Sequence, residues 1–462
     1  MYCWGTTLNW GREIMENKVE ALYETESLCP QCLGKIKASV VRRGSSVYME
    51  KECGKHGSFS TVIWRGSPDI EKWRIDKIPS TPNGYNFEED KGCPFDCGLC
   101  SDHKQHTCTM LLEVTKRCNL KCNVCFADSG GMSADPDLDK IRTYYRRALE
   151  QGGPYNVQLS GGEPTVRDDL PEIIRMGKEC GFEFIQVNTN GLRFAEDEEY
   201  VKELRSAGLS SIFLQFDGVN DEIYKKLRGR ELFEIKVKAI ENCRKYNIGV
   251  ILVPVICEEN LNDTARIIGF ALENIDVVRG VHFQPVSFFG RYSEEMKYNR
   301  RITLPEIMQS IENESAGRIK AADFAPPCCE HSLCSFHGNF IYEGGELKPI
   351  SKKSCCSGGE TLKAEVGAAK SRQFVKKFWG SREVKLRDPA QDSISQSFDS
   401  ILNRINSRSF SISAMAFQDA WNVDIERLKQ CCIHVMSEDG NLIPFCAYNM
   451  TDENSNYLYR RR

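Results

Sequence analysis

Cys118, Cys122 and Cys125 form a C-x3-C-x2-C triplet directly after the apolar run Leu111-Leu112-Glu113-Val114-Thr115. A short strand that opens into a metal-binding loop constrains the fold more than any other feature of the chain. Each iron of a [4Fe–4S] cluster takes one protein ligand, so three thiolates leave one iron open to a small molecule. The competing readings of such a triplet are a structural zinc site and a saturated ferredoxin-type site. The sequence holds 22 cysteines in 462 residues, grouped at short spacings. Met1 to Trp10 carry neither the charge nor the apolar core of a signal peptide, so metal centres in a reducing cytoplasm, in an anaerobic cell, are expected rather than disulfides. No run approaches the roughly 18 apolar residues of a membrane span, although peripheral membrane contact stays open. The net charge of −4 gives no broad basic surface, which argues against a nucleic-acid partner.

Between residues 109 and 310 short apolar runs alternate with helical patterns, the mark of a parallel βα architecture. Strands are expected at 109–114, 156–159, 184–188, 211–216, 249–255 and 280–284, and helices at 138–151, 169–180, 198–207, 233–246 and 262–273. Ahead of this block, residues 1–78 read as a small β module with a helical piece near Ile14 to Tyr23 and strands at 36–41 and 46–51. Cys29, Cys32, Cys53 and His56 there have zinc-ribbon or rubredoxin-like spacing. Three thiolates and an imidazole suit zinc, whereas rubredoxin-type iron would favour a fourth thiolate such as Cys3. Residues 79–108 form a connecting cluster segment and 311–462 a cysteine-rich region whose stretch 357–425 reads as mostly helical.

Cys93, Cys97 and Cys100 repeat the triplet spacing but lack a strand before them, and Cys108 follows within reach as a fourth ligand. That set reads as a saturated auxiliary [4Fe–4S] cluster, with zinc as the alternative, and His103 and His106 as exposed loop residues or hydrogen-bond donors to it. A second auxiliary cluster is expected on Cys328 or Cys329, Cys334, Cys432 and Cys446. Neighbouring side chains point apart in extended chain, so each Cys-Cys pair supplies one ligand and one further thiol. Cys355-Cys356 reads as a mobile thiol pair, and Cys180, Cys243 and Cys257 as core.

Ser160-Gly161-Gly162-Glu163-Pro164 follows the second strand; alone it would be an ordinary turn. Thr189-Asn190-Gly191 and Gln215-Phe216-Asp217 end the third and fourth strands with polar side chains, and Arg228 closes a helical segment, where a plain helix-end cation is the bland reading. Val253-Pro254-Val255 ends the fifth strand, and His282 and Gln284 lie on the sixth, His282 as readily in a packed core as in a site.

Together, Thr115-Lys-Arg-Cys118-Asn-Leu-Lys-Cys122-Asn-Val-Cys125-Phe126 and the downstream Gly-Gly-Glu-Pro resemble the radical S-adenosylmethionine (radical SAM) superfamily. The resemblance implies a partial (β/α)6 barrel with its site at the C-terminal strand ends, SAM on the open iron, and reductive cleavage to a 5′-deoxyadenosyl radical. It implies SAM contacts from Phe126, Gly161, Gly162, Glu163, Asn190, Gln215, Asp217 and Arg228, with Arg228 near the SAM carboxylate and Val253–Val255 beside adenine. Val124 stands where many members carry an aromatic residue. Cys93-Pro-x-x-Cys97-Gly-Leu-Cys100, Cys-x-His-Ser-Leu-Cys334 and Ile-Pro-Phe-Cys446 look like a multi-cluster group within the MoaA/NifB-like enzymes. That group includes the tetraether lipid synthases, and the TrsS-type bacterial branch is the most similar. It implies one radical cluster, one or two auxiliary clusters, and a mononuclear iron or zinc. A reduced flavodoxin or ferredoxin would serve as electron donor. The expected reaction is hydrogen abstraction from an unactivated C–H, followed by C–C bond formation or alkylation of a lipid or small metabolite. The rival classes are an iron–sulfur electron carrier and a radical SAM peptide-modifying enzyme.

Overall fold

The computed structural model describes residues 19–82, 90–130, 134–293, 300–350, 363–381 and 408–460. Cys3, Cys355 and Cys356 lie outside them. Alternating side chains over Glu20–Leu28 (β1), Lys35–Arg43 (β2), Ser46–Cys53 (β3) and Gly57–Arg65 (β4) build an antiparallel four-stranded meander. The helix expected near Ile14 to Tyr23 is therefore corrected over its described part: Glu20 to Tyr23 belong to β1, because pairing with β2 overrides the helix-favouring glutamates.

The larger sheet starts from β5 (Thr109–Thr115), β6 (Asn156–Gly161), β7 (Ile185–Thr189), β8 (Ser211–Gln215), β9 (Gly249–Val253) and β11 (Val278–Pro285). These six are parallel neighbours in chain order, and β10 (Val255–Ile256) adds to β11. Their side chains are buried almost throughout, as parallel strands covered on both faces require. Helices Leu138–Glu150, Leu170–Glu179, Glu198–Ser206, Phe233–Lys245 and Thr264–Glu273 form the crossovers, close to the expected bounds.

The C-terminal third extends this sheet at both edges. Strand β14 (Ser409–Met415) lies parallel to β11 and pairs on its other side with antiparallel β12 (Ser335–Glu343), which carries β13 (Glu346–Pro349) at the edge. At the other edge β15 (Ile433–Met436) pairs in parallel with β5 and carries antiparallel β16 (Leu442–Pro444). The mostly helical expectation for 357–425 is thus corrected at β14, whose alternating Phe-Ser-Ile-Ser-Ala-Met is the better strand signal.

Helix Ala364–Trp379 runs under the N-terminal strand ends. Arg372 Nη1 donates to Thr107 O at 2.8 Å, Asn156 Nδ2 to Arg372 O at 3.2 Å, and Ser381 N to Ser210 O at 3.1 Å. The meander is tied to the rest by Ser27 Oγ donating to Val423 O at 2.5 Å and Arg65 Nη1 to Glu306 Oε1 at 2.8 Å. No helix among the described residues is long and apolar enough to cross a membrane.

Candidate active site

The loop after β5 brings Cys118, Cys122 and Cys125 to the C-terminal end of the sheet, each partly exposed. All three line one cavity of about 530 Å³. Burial pushes the Cys118 thiol up to about 12 and raises Cys122, where the Arg228 cation opposes it. Such thiols give up their protons on binding a cationic cluster.

The Gly-Gly-Glu segment holds this loop by backbone contact. Gly162 N donates to Thr115 O at 2.8 Å and Glu163 N to Arg117 O at 2.9 Å. A Cβ on Gly161 would meet Thr115 O at 2.1 Å, and one on Gly162 would meet Arg117 O at 2.0 Å, so only glycine permits the approach. Glu163 is fully buried, and burial raises its carboxyl above the usual range. Its carboxylate accepts from Thr165 Oγ1 (2.7 Å), Thr189 Oγ1 (2.8 Å) and Asn190 N (2.6 Å). It therefore ties β6 to β7.

Asn190 Nδ2 donates to Asn119 Oδ1 at 2.7 Å, inside the cysteine loop, and Asn190 O accepts from the buried Lys236 Nζ at 2.5 Å. Gln215 Nε2 donates to Asp217 Oδ2 at 2.8 Å. Arg228 forks onto both oxygens of Asp217, at 2.7 and 2.8 Å, and donates to Val124 O at 2.9 Å. Arg228 is thus held by Asp217 where it lines the cavity beside the cysteine loop. The structural role is a buried, bidentate ion pair behind the cysteine loop. Phe126 packs against Phe445, with ring centres 5.6 Å apart, and lines the cavity.

Arg291 is a residue that motif reading missed. Its Nε donates to Cys122 O at 2.9 Å and its Nη1 to Asp128 Oδ1 at 3.0 Å, while its backbone pairs with Cys125. The bridge joins positions far apart in sequence, so spacing gave no signal. His282 donates to or accepts from Ser413 Oγ at 2.8 Å and stacks on Phe213; burial lowers it to about 4. It stands in the cavity wall, neutral near pH 7. Asn188 also lines the cavity, and its buried Oδ1 has no hydrogen-bond partner.

Apart from Cys328 and the isolated Cys180, Cys243 and Cys257, the remaining described thiols fall into four sets, and two expectations need correction. Cys29, Cys32, Cys53 and His56 place their ligand atoms within 4.8 Å of one another, with His56 Nδ1 at 3.5 Å from Cys29 and Cys53 Sγ. Cys93, Cys97 and Cys100 stay together, the Cys97 thiol beside that of Cys93. Cys108 leaves them: it joins Cys329 and Cys432, with Cys108 and Cys432 sulfurs 3.1 Å apart. The cause is the β15–β5 register, in which Cys108 N donates to Cys432 O at 2.8 Å. The expected set of Cys328 or Cys329, Cys334, Cys432 and Cys446 is accordingly split. Cys334 and Cys446 share the Arg427 field and both lie beside Cys431, while Cys329 and Cys432 belong with Cys108 and Cys328 lines the cavity. Adjacent Cys431 and Cys432 thus serve different sets, as extended backbone dictates. His103 is buried rather than exposed, 3.3 Å from His434 Nε2.

Residues 112–271 match the Radical SAM superfamily, and residues 21–65 match the HMPTM N-terminal zinc ribbon domain. The chain is 35% identical to the 7,8-dihydro-6-hydroxymethylpterin dimethyltransferase of Methanocaldococcus jannaschii, over 92% of this chain and 93% of that protein. It is 30% identical to the Fe-coproporphyrin III synthase of Methanosarcina barkeri, over 43% and 49% of the two chains. Among solved structures, Streptococcus suis SuiB bound to the precursor peptide SuiA is similar, with TM-score 0.39, 16% identity and 46% of each chain covered. Three partly exposed thiols on a loop at the mouth of a parallel sheet, with the superfamily match over 112–271 and near full-length likeness to that dimethyltransferase, lead to one conclusion: the chain belongs to the radical SAM superfamily, enzymes that cleave SAM reductively at a [4Fe–4S] cluster.

Proposed function

We propose that this protein alkylates or methylates an unactivated carbon of a small, flat heterocycle of the pterin type. The observation that carries this reading is the cavity shared by the cysteine loop and a wall of amide and aromatic side chains. Gln158, Asn188 and Gln284 offer donors and acceptors suited to a heterocycle's edge, and Phe126, Phe213 and Phe289 offer faces for its rings. About 530 Å³ lies within the range for one small-molecule site. Because SAM shares that space, joining two long alkyl chains is the weaker reading. The name of the Methanocaldococcus jannaschii relative points the same way.

In this reading Cys118, Cys122 and Cys125 hold the radical cluster. Bound cluster and SAM supply one-electron C–S cleavage and a carbon radical able to remove hydrogen. The chain's own residues orient and shield. Arg291 and Arg228 fix the cysteine loop, Asn190 and Lys236 brace it through Asn119, and helix Ala364–Trp379 closes the far end with Phe374 and Trp379 against the cavity. We further infer a cytoplasmic enzyme of the TrsS-type branch, served by a reduced flavodoxin or ferredoxin. Its division would be a ribbon module at 1–78, a cluster segment at 79–108, a barrel at 109–310 and a cysteine-rich remainder at 311–462.

Reconstituted, reduced protein with SAM and a 6-hydroxymethyl dihydropterin tests the reading. Dihydropterin-dependent 5′-deoxyadenosine is expected, together with a product in which one or two hydrogens are replaced by methyl groups drawn from further SAM molecules, each released as S-adenosylhomocysteine. A response to long-chain acyl lipids and none to dihydropterins would overturn it.

A further inference from the structure

One corner of the cavity gathers polar atoms that no described residue pairs. Asn188 Oδ1 and Trp379 Nε1 are buried, and neither has a hydrogen-bond partner among the described residues. Both residues line the cavity, as does His282. The Phe213 ring links the three. Phe213 faces Asn188 across the β7–β8 register, its ring centre lies 5.3 Å from that of Trp379, and it stacks on His282 at 5.6 Å. Ser413 Oγ engages His282 Nδ1 at 2.8 Å, which leaves Nε2 as the ring's unengaged nitrogen among the described residues. Burial alone lowers His282, so no charged side chain shifts it and the imidazole is neutral near pH 7. A buried donor or acceptor left unpaired costs about 1–3 kcal/mol, and such atoms are rare in folded chains. A donor and an acceptor that flank one phenyl ring without meeting each other are placed for a third group that meets both.

We infer that Trp379, Asn188 and His282 recognise the lactam edge of a neutral heterocycle, whose carbonyl accepts from Trp379 Nε1 and whose N–H groups donate to Asn188 Oδ1 and His282 Nε2. The inference rests on the pterin-type reading above and deepens it, because it fixes which edge is held and which is left to react. One donor and two acceptors match an edge of one carbonyl and two N–H groups, the pattern of a 2-amino-4-oxo pyrimidine ring. With no charge acting on His282, the corner favours such a neutral edge over a carboxylate or phosphate. Gln284 follows two residues along β11 on the same face, and the chain continues to Val286, which packs beside Cys118 and Cys122. A heterocycle lying along that strand with its lactam edge at His282 therefore turns its second ring toward the cysteine loop.

The experiment is equilibrium dialysis of the full, cluster-loaded chain under anaerobic conditions without reductant, so that nothing turns over. The ligands are 6-hydroxymethyl dihydropterin and the same compound methylated on its lactam nitrogen. Wild type should prefer the parent by about tenfold, as the loss of one buried hydrogen bond gives. Trp379→Phe, Asn188→Leu and His282→Phe should each weaken binding of the parent by about tenfold. His282→Gln, whose amide reaches toward the Nε2 position, should recover most of the His282→Phe loss. Either Asn188→Leu or His282→Phe should also erase the preference between the two ligands. The SAM-induced change in the radical cluster's paramagnetic spectrum reports that each variant is folded. Where a variant has lost it, the wild-type preference still decides whether the lactam edge is read. Wild type that binds both ligands alike, or variants that bind the parent as wild type does, would overturn this inference and leave the pterin reading standing. An equal loss for both ligands that His282→Gln does not relieve would reduce the ring to packing and overturn it too. Wild type that binds neither ligand while still responding to SAM would overturn both readings.

Discussion

The two C-x3-C-x2-C triplets share a spacing and differ in everything around it. Cys118, Cys122 and Cys125 are half-exposed and open into the large cavity. Cys93 and Cys100 are buried, and that cavity reaches none of Cys93, Cys97 and Cys100. Asp96 Oδ2 accepts three backbone N–H groups at 2.5 to 2.9 Å, from Asp90, Lys91 and Gly92, which winds the first triplet tightly. Tyr459 seals it by accepting from Cys97 N at 2.8 Å and donating to Pro94 O at 2.7 Å. Spacing therefore sets how many thiols reach one centre. Access sets whether a small molecule can join them.

The largest effect expected from this contrast separates the triplets outright. Cys122→Ala should remove 5′-deoxyadenosine formation by at least about a thousandfold, because the cluster loses one of its three holds. Cys97→Ala should leave the SAM-induced change in the radical cluster's paramagnetic spectrum intact, even if turnover falls. A Cys97→Ala protein that no longer responds to SAM would break the contrast.

Next in size is the pair behind the open loop. Arg228 and Asp217 are both buried, so Arg228→Met strands a carboxylate and should cost about 3–5 kcal/mol in denaturant unfolding. Arg228→Met/Asp217→Asn should recover much of that stability without restoring SAM cleavage, since Val124 O still lacks its donor. Full recovery of activity in the double variant would show that the pair serves stability alone.

What could be read ahead of the structure follows from the range of each interaction. Strands β5 to β9 and β11, with their crossover helices, were legible because the apolar period is local. Strand β14 was not read as a strand, although Phe410, Ile412 and Ala414 alternate with serines, because the charged stretch 357–425 around it reads as helical and masks so short a period. Ligand partnership was legible where both halves of a site fall on neighbouring turns of one small meander, as at Cys29 after β1 and Cys53 at the end of β3. It was not legible for Cys108, whose partner Cys432 is 324 positions away and is fixed by a sheet register. The pairing of Arg228 with Asp217 was not legible either, since a guanidinium fork suits any carboxylate.

A smaller effect sharpens the sealed side of the comparison. Tyr459→Phe leaves Cys97 N and Pro94 O without their partner, so a loss of about 1–2 kcal/mol is expected on melting. Iron at the first triplet should become easier to chelate, with the SAM response of the second unchanged. Equal lability at both triplets would mean that the tyrosine holds the whole C-terminal region rather than one centre.

The smallest effect concerns how the ribbon is seated. Lys51 is buried, with Nζ donating to Ser27 Oγ at 3.0 Å and Ala420 O at 2.6 Å, and burial lowers it to about 7, opposed by the nearby Asp419. A lysine whose pKa is lower folded than unfolded is protonated in both states below pH 7, where the cost of burying its charge is fully present. Above pH 7 the unfolded chain binds more protons than the folded one, so stability rises with pH, by about 1 kcal/mol between pH 7 and 8 from this group. Thermal melts of the wild type minus Lys51→Met should carry that slope, because methionine keeps the bulk and has no proton to release. A flat difference would mean that the ammonium stays charged in the folded state, held by Asp419 and the Ala420 carbonyl, and that the ribbon docks through an ion pair rather than a neutral amine.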